Sequence, residues 1–251
     1  MTALVAMSAE TFSEQFDNRR LQRLRSLIPT TTPLRVDDLD QLPAGLLPTV
    51  EVLMTGWGAP TLDAARLDLL PSLEAVIHCA GSVKSMVTPA LWRRGIKVSS
   101  AAEVNAIPVA EFTFAAIVMA GKKAPFLAAD ARVHRDDLGY RTGRGRLSNH
   151  GLRVGIIGFS RIGRRVVAKL QQLDEVTCLV ADPFADPLEV AAAGGTLVNL
   201  DSLLQNVDIV SIHAPDLPST HQMISRYELG QMTDHATLIN TARGALVDTA
   251  A

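Results

Sequence analysis

Apolar residues come in short blocks along this chain, and the spacing within the blocks alternates between helical and extended. Residues 14–27 set Phe16, Leu21, Leu24 and Leu27 at helical intervals and stop before Pro29, which predicts a helix. Residues 50–55 form a β-rich run ended by Gly56, Gly58 and Pro60. A helix over 62–70 is stopped by Pro71, a strand over 73–79 is closed by Ala80, Gly81 and Ser82, a helix over 89–94 ends at Gly95, and a strand follows over 96–99. That βαβα rhythm predicts a parallel sheet flanked by helices. A longer apolar helix is expected over 108–123, with Pro108 in its first turn. Residues 131–150 then carry Arg132, Arg135, Arg141, Arg144 and Arg146 among Asp136, Asp137 and glycines. Such a run reads as a solvated face or loop, with a phosphate or partner site as the alternative. The domain boundary is placed in the long helix, giving residues 1–110 and 111–251.

The second part opens on a buried-strand pattern over 152–157. Gly158-Phe159-Ser160-Arg161-Ile162-Gly163 follows at once, then a helix over 164–173, a strand over 175–181, and Asp182 at that strand's end. In such a layout Gly158 makes the tight turn and Gly163 lets the helix pack closely on the sheet. The first-turn N–H groups and the helix dipole then face a pyrophosphate. Asp182 stands where an acid accepts hydrogen bonds from the adenosine ribose hydroxyls. Ser160 departs from the glycine usual at the second position; its Cβ is a mild steric cost, and its hydroxyl could donate to a phosphate oxygen. The expected ligand is a dinucleotide, and NAD rather than NADP. A 2′-phosphate at ~4 Å from Asp182 would cost about 4 kcal/mol per unit charge pair, before relaxation, at an effective dielectric near 20.

Composition narrows the classes. Hydrophobic residues make up 47% and charged residues 20% of 251, a soluble globular balance, and a net charge of −2 offers nothing to nucleic acid or an acidic membrane. Cys79 and Cys178 stand far apart in apolar runs and read as buried reduced thiols, with no metal site. Residues 1–16 lack a signal peptide's basic flank, and the apolar stretch near 112–121 reads as too short to span a bilayer. The expectation is a cytoplasmic protein with neither nucleic-acid nor membrane partners.

From Gly155 through Gly163, and through Asp182-Pro183, His213-Ala214-Pro215, Thr220 and above all Asn240-Thr241-Ala242-Arg243-Gly244, the chain resembles the D-isomer-specific 2-hydroxyacid dehydrogenases. His78 to Ser82 and Asn105 to Glu111 agree with that likeness, which is weakest before about residue 50. The resemblance implies two Rossmann/flavodoxin-like parallel-sheet lobes of α/β class: a substrate (catalytic) domain, 1–110, and an NAD-binding domain, 111–251. It also implies hydride exchange between NAD(H) and C2 of a 2-hydroxy or 2-oxo acid, and a homodimer to which the long helix contributes. Arg243 matches the family arginine that grips the substrate carboxylate and carbonyl oxygen; a guanidinium stays charged and offers a planar fork of donors. A salt-bridged arginine at a strand end is the structural alternative. Gly81, Ser82 and Val83 match the turn that cradles the carboxylate, and Asn105 and Glu111 fall near the cleft between the lobes, although capping or packing equally explains Glu111. Gly158, Ser160, Arg161, Ile162, Gly163, Asp182, Pro183, His213, Ala214, Pro215, Thr220, Thr241, Ala242 and Arg243 are the cofactor-side residues. For His213 a satisfied core histidine, and for Thr220 a turn or cap residue, are the plainer readings.

The family reaction also needs a proton donor, a histidine tuned by a carboxylate, both C-terminal to the arginine. All six histidines (78, 134, 150, 213, 221 and 235) precede Arg243, and the given sequence stops at Ala251. The expectation is therefore a second lobe incomplete at its C-terminus, with impaired turnover. The alternative is a non-catalytic NAD-binding regulatory module on the same fold.

Overall fold

Among the described residues of the computed structural model, 1–134 and 139–251, ten strands pair into two five-stranded sheets, and every pairing is parallel. Met1–Asn105 and Ala106–Ala251 form two compact units, one sheet to each. This division and the one expected at 110/111 fall on the same helix. Arg135, Asp136 and Asp137 of the basic run lie outside the described residues.

The first unit contains β1 (Ala3–Ala6), α1 (Ala9–Gln15), α2 (Asn18–Leu27), β2 (Thr30–Val36), β3 (Val52–Thr55), α3 (Ala64–Asp68), β4 (Ala75–His78), α4 (Pro89–Arg93) and β5 (Lys97–Ser100). Its strand order, β2-β1-β3-β4-β5, is that of flavodoxin-like sheets. All four β1 residues are buried, as a strand covered on both faces requires. Leu4, Leu53, Leu67, Met86 and Leu91 meet in the core. Neither β1 nor β2 is expected from the pattern above. The helix expected over 14–27 is two helices, because Asp17 accepts the Arg20 N–H at 2.7 Å and caps α2 after α1 has ended.

The second unit continues from α5 (Ala102–Gly121) into α6 (Ala124–Val133), β6 (Arg153–Ile157), α7 (Arg161–Leu170), β7 (Thr177–Ala181), α8 (Pro187–Ala192), β8 (Thr196–Leu197), α9 (Leu200–Asn206), β9 (Ile209–Ile212), α10 (Arg226–Gln231) and β10 (Thr237–Asn240). Its order, β10-β9-β6-β7-β8, is the Rossmann order with the switch point between β6 and β9. Val154 and Ile156 of β6 pack with Val166, Val167 and Leu170 of α7 and with Ala110 and Ile117 of α5. On the opposite side Leu203 and Leu204 of α9 pack with Val210 and Ile212 of β9.

Two expectations need correction here. The long helix starts at Ala102, so Pro108 lies inside it rather than in its first turn. The hydrogen bond that proline forfeits belongs to the Val104 carbonyl, and Val104 is exposed, so water can take its place. At 20 residues α5 is also long and apolar enough to cross a membrane by length and composition, contrary to the shorter stretch expected; within this fold its Ala110, Ile117 and Ala120 lie in the core. In the basic run, Arg144 holds Asp130 of α6 through two hydrogen bonds (2.6 and 2.7 Å) and lies over the Phe126 ring. Both cysteines are free thiols; Cys178 is buried, whereas Cys79 is only partly so.

Gly155 shows how closely α9 approaches the sheet. A Cβ there would stand 2.3 Å from Leu203 Cδ2 and 2.8 Å from Cγ. Gly155→Ala should therefore destabilise the protein by about 1–3 kcal/mol, and Leu203→Ala alone by about 2–5 kcal/mol. The double variant should lose clearly less than the two added together, since trimming Leu203 makes room for the methyl. Urea denaturation of the three variants measures this; strictly additive losses would show that the two residues do not press on each other.

Candidate functional site

The switch point between β6 and β9 is where an open α/β sheet forms a crevice, and the glycine-rich loop opens there. Gly158 leaves β6 with φ +93°, a conformation that disfavours a side chain, and its N–H donates to the Ala181 carbonyl at 2.9 Å. A Cβ on it would come within 2.7 Å of the Ala214 nitrogen. Gly163, in the first turn of α7, is tighter still: a Cβ would stand 2.0 Å from the Gly158 carbonyl oxygen. The two glycines thus press the start of α7 onto the strand end, where first-turn N–H groups lack intrahelical partners.

Ser160 is the N-cap of α7 at φ −75° and ψ −172°, extended backbone that carries a Cβ without strain. Its hydroxyl donates to the His213 carbonyl at 3.1 Å and so ties the loop to the end of β9. In this structure the hydroxyl serves the fold, whereas the sequence suggested a phosphate oxygen as its acceptor. Arg161 opens α7 on the exposed side, and Ile162 packs against the core.

Asp182 sits at the end of β7 with both carboxylate oxygens engaged by backbone. One accepts the Phe159 N–H at 2.7 Å and the other the Phe184 N–H at 2.9 Å. A carboxylate has about four lone-pair positions, so two bonds leave acceptor capacity for ribose hydroxyls. Pro183 follows directly and carries the chain out to the exposed Phe184.

His213 is 4% exposed. Its backbone N–H donates to the Ile157 carbonyl at 2.7 Å, its ring Nε2 pairs with the Ser211 hydroxyl at 3.0 Å, and Nδ1 has no partner among the described residues. Burial pushes the imidazole down to about 4, so the ring is neutral at pH 7. Ala214 and Pro215 continue the loop. Thr220 closes it, its Oγ1 donating to the Pro215 carbonyl at 2.6 Å and accepting the Leu217 N–H at 2.9 Å. His213 and Thr220 therefore shape the loops as core and turn residues.

At the end of β10, Asn240 organises the turn: its side-chain oxygen accepts the Ala242 N–H at 3.0 Å and its amide donates to the Arg243 carbonyl at 2.8 Å. Asn240 received no role from the sequence, although an asparagine closing a strand ahead of such a turn is a recognisable Asx signal. Thr241 Oγ1 shares a hydrogen bond of 2.9 Å with Thr113 on α5. Arg243 is exposed and donates only to the neighbouring Ala242 carbonyl, at 2.8 Å. Among the described residues no carboxylate pairs with it, contrary to the salt-bridged alternative. Glu111 lies 3.8 Å from Lys169, an exposed pairing of α5 with α7.

In the first unit, Gly81, Ser82 and Val83 form the turn after β4. The Val83 carbonyl accepts from Met86 and Val87, and a Cβ on Gly81 would be 3.1 Å from the Asn105 amide. Beneath the turn the buried His78 bonds Thr55 Oγ1 through Nδ1 at 3.0 Å and also meets the Ser82 backbone. Its pKa is lowered, mainly by burial. His78 appears in the family pattern without a role, and the structure makes it the support of this turn.

The buried His213 makes stability depend on pH. Its native pKa lies below the ordinary 6.5, so between those values the unfolded chain takes up a proton that the native ring refuses. Stability is full above pH 6.5 and falls as the pH drops toward 4, by roughly 3 kcal/mol for a shift of that size. His78 acts in the same direction. Denaturation midpoints at pH 7, 5.5 and 4.5 should show the decline, and His213→Gln should flatten it; an unchanged slope in that variant would remove His213 as its source.

Comparison with known proteins agrees with this geometry. Residues 115–251 match the family described as D-isomer specific 2-hydroxyacid dehydrogenase, NAD binding domain. Over 214 residues the chain is 31% identical to a D-3-phosphoglycerate dehydrogenase of Mycobacterium tuberculosis, covering 85% of this chain and 39% of that protein. Against a glyoxylate reductase of Thermofilum pendens it is 30% identical over 200 residues, covering 76% of this chain and 56% of the relative. The chain thus spans well under two thirds of the length of these curated relatives. Among solved structures, the TT0316 protein of Thermus thermophilus matches with a TM-score of 0.74 at 26% identity, covering all of this chain and 76% of that one. A D-lactate dehydrogenase of Aquifex aeolicus, complexed with NAD and lactic acid, shares the fold with a TM-score of 0.74 at 23% identity, covering all of this chain and 71% of that one. With a family match over more than half of its length, the chain belongs to the D-isomer specific 2-hydroxyacid dehydrogenases.

Proposed function

We propose that this chain binds NAD(H) across the β6/β9 switch point and exchanges a hydride between it and C2 of a small 2-hydroxy or 2-oxo acid. The observation that carries this reading is the Asp182 carboxylate, held against the Phe159 N–H of the glycine-rich loop with acceptor capacity to spare. Gly158, Ser160, Arg161, Ile162 and Gly163 would take the pyrophosphate, Asp182 and Pro183 the adenosine ribose, and His213, Ala214, Pro215 and Thr220 the edge along the adenosine. Thr241, Ala242 and Arg243 would face the nicotinamide side. The bound cofactor supplies a hydride acceptor or donor and nothing else.

The rest falls to side chains. Arg243, with no carboxylate of its own, would grip the substrate carboxylate and polarise the carbonyl as charge develops on oxygen. Gly81, Ser82 and Val83 would offer the backbone N–H groups of their turn to a substrate carboxylate. An arginine kept free for an anion supports this reading over a nucleotide-sensing regulatory module, which has no use for a carboxylate grip. NADH oxidation with a panel of 2-oxo acids measures hydride transfer; a chain that binds NADH but oxidises it with none of them would overturn this reading.

A homodimer is part of the same proposal. Phe112 and Met119 of α5, two turns apart on one face, are exposed, Phe112 at 68%, on a helix whose other side is in the core. Phe112→Glu should shift the mass measured by light scattering from two chains to one. A wild-type monomer at micromolar concentration would dismiss the dimer.

For the cofactor, titration calorimetry should show NADH binding tighter than NADPH. Asp182→Ala should weaken NADH about 10- to 100-fold, as expected when hydrogen bonds to a charged group are lost. The same change should reduce the preference over NADPH. Tighter NADPH than NADH binding by the unaltered protein would overturn the assignment of Asp182.

A further inference from the structure

Resting on the reading above, we infer that His78 is a positioning residue for substrate binding: its ring holds the Ser82–Val83 peptide with the Val83 N–H turned outward, toward the carboxylate of a 2-oxo acid. Alternation along β4 puts Val76 and His78 on one face of the sheet, and Val76 lies in the core. A polar ring at such a position is costly unless its nitrogens are bonded. His78 is 5% exposed, and its Nδ1 stands 3.0 Å from Thr55 Oγ1. Its contact with the Ser82 backbone holds the imidazole pKa up against burial, as only an acceptor of a ring N–H does. That acceptor is the Ser82 carbonyl. With Thr55 at Nδ1, the ring proton sits on Nε2, and Nδ1 accepts from the Thr55 hydroxyl.

The rest follows from the planarity of the peptide. A trans peptide points its C=O and its N–H in opposite directions. With the Ser82 carbonyl drawn down to a buried ring, the Val83 N–H of the same peptide points away from the core. The Val83 side chain packs against that core and pins the residue from below. The Ala80–Gly81 peptide is fixed in the same way. Its carbonyl accepts the Ala101 N–H at 3.1 Å, so the Gly81 N–H faces away from Ala101. Among the described residues nothing accepts from the N–H groups of Gly81, Ser82 or Val83, whereas the Lys84 N–H donates to Ser82 Oγ at 3.4 Å. Successive unpaired N–H groups of this kind make an anion-binding concavity. One bond from such a group to a carboxylate is worth about tenfold to a hundredfold in affinity. His78 itself touches no substrate; it acts through the peptide that does.

The test separates the two ring nitrogens and needs no turnover. In His78→Asn the side-chain amide reaches only the Nδ1 position, whereas in His78→Gln it extends to the Nε2 position and can donate to the Ser82 carbonyl. The full 251-residue chain, saturated with NADH, is titrated calorimetrically with oxamate, an isostere of pyruvate that accepts no hydride. His78→Asn should bind oxamate at least about tenfold more weakly than the unaltered protein, and His78→Gln within about threefold of it. NADH affinity and the unfolding midpoint should be alike in the two variants, which a role in packing alone would also give; the split between them in oxamate binding it would not. Nitrogen-15 spectra of the unaltered protein decide the matter even if neither variant folds. They should show His78 protonated on Nε2 with Nδ1 bare, and the Val83 amide signal should shift as oxamate binds. Equal losses in the two folded variants, no loss in His78→Asn, a proton on Nδ1 or an unmoved Val83 amide overturns the inference and leaves the hydroxyacid reading standing. If the unaltered protein binds NADH but not oxamate, the hydroxyacid reading itself fails and takes the inference with it.

Discussion

Everything at the cofactor side hangs on one contact, Gly163 against the carbonyl of Gly158. With only 2.0 Å available where a Cβ would stand, no other residue permits α7 to begin so close to the end of β6. That closeness aims the helix dipole and the unpaired N–H groups at the switch point. It also brings the Phe159 N–H within reach of Asp182 on β7 and the Ser160 hydroxyl within reach of His213 on β9. Three neighbouring strands are thereby cross-linked through one short loop. A charge, a dipole and two backbone turns are held in register by a steric condition rather than by any strong bond.

The two sheets meet the same design problem differently. Both sheets are parallel throughout, but the first has the flavodoxin-like order and the second the Rossmann order. In the second unit the strand order itself opens a crevice between β6 and β9. In the first, what marks the edge is a pair of adjacent turns, one carried by the buried His78–Thr55 bond and the other stapled to Ser8. Each unit also buries an imidazole at a strand end, His78 bonded to Thr55 in one and His213 to Ser211 in the other, and burial lowers the pKa of each.

What could be read from the chain follows from how local its causes are. The turn of Gly158–Gly163, Asp182 at the end of the next strand, and the arginine turn at 240–244 are contiguous signals, each with a steric or electrostatic reason visible in a few residues. The strands β1 and β2 were missed because their burial is imposed by neighbours far along the chain: Ala3–Ala6 is an unremarkable apolar tetrad until β3 pairs beside it. Pro108 misplaced the start of α5, since proline favours a first turn only when no tertiary packing rewards extending the helix past it. Asp17 split a helix that periodicity alone had run together. The roles of Ser160, Thr220 and Thr241 were legible as positions but not as bonds. Their hydroxyls are satisfied by groups from 3 to 128 residues away, which no motif spells out.

The serine in place of the second glycine has a consequence for timing. A glycine at 160 would leave this stretch to be ordered largely by its ligand, at the moment of association. The hydroxyl bond to the His213 carbonyl instead orders the loop during folding, so the entropic cost of fixing it is met before any nucleotide arrives. The outline of the loop is thus drawn by contacts within the fold, two steric and one hydrogen-bonded, rather than by a guest.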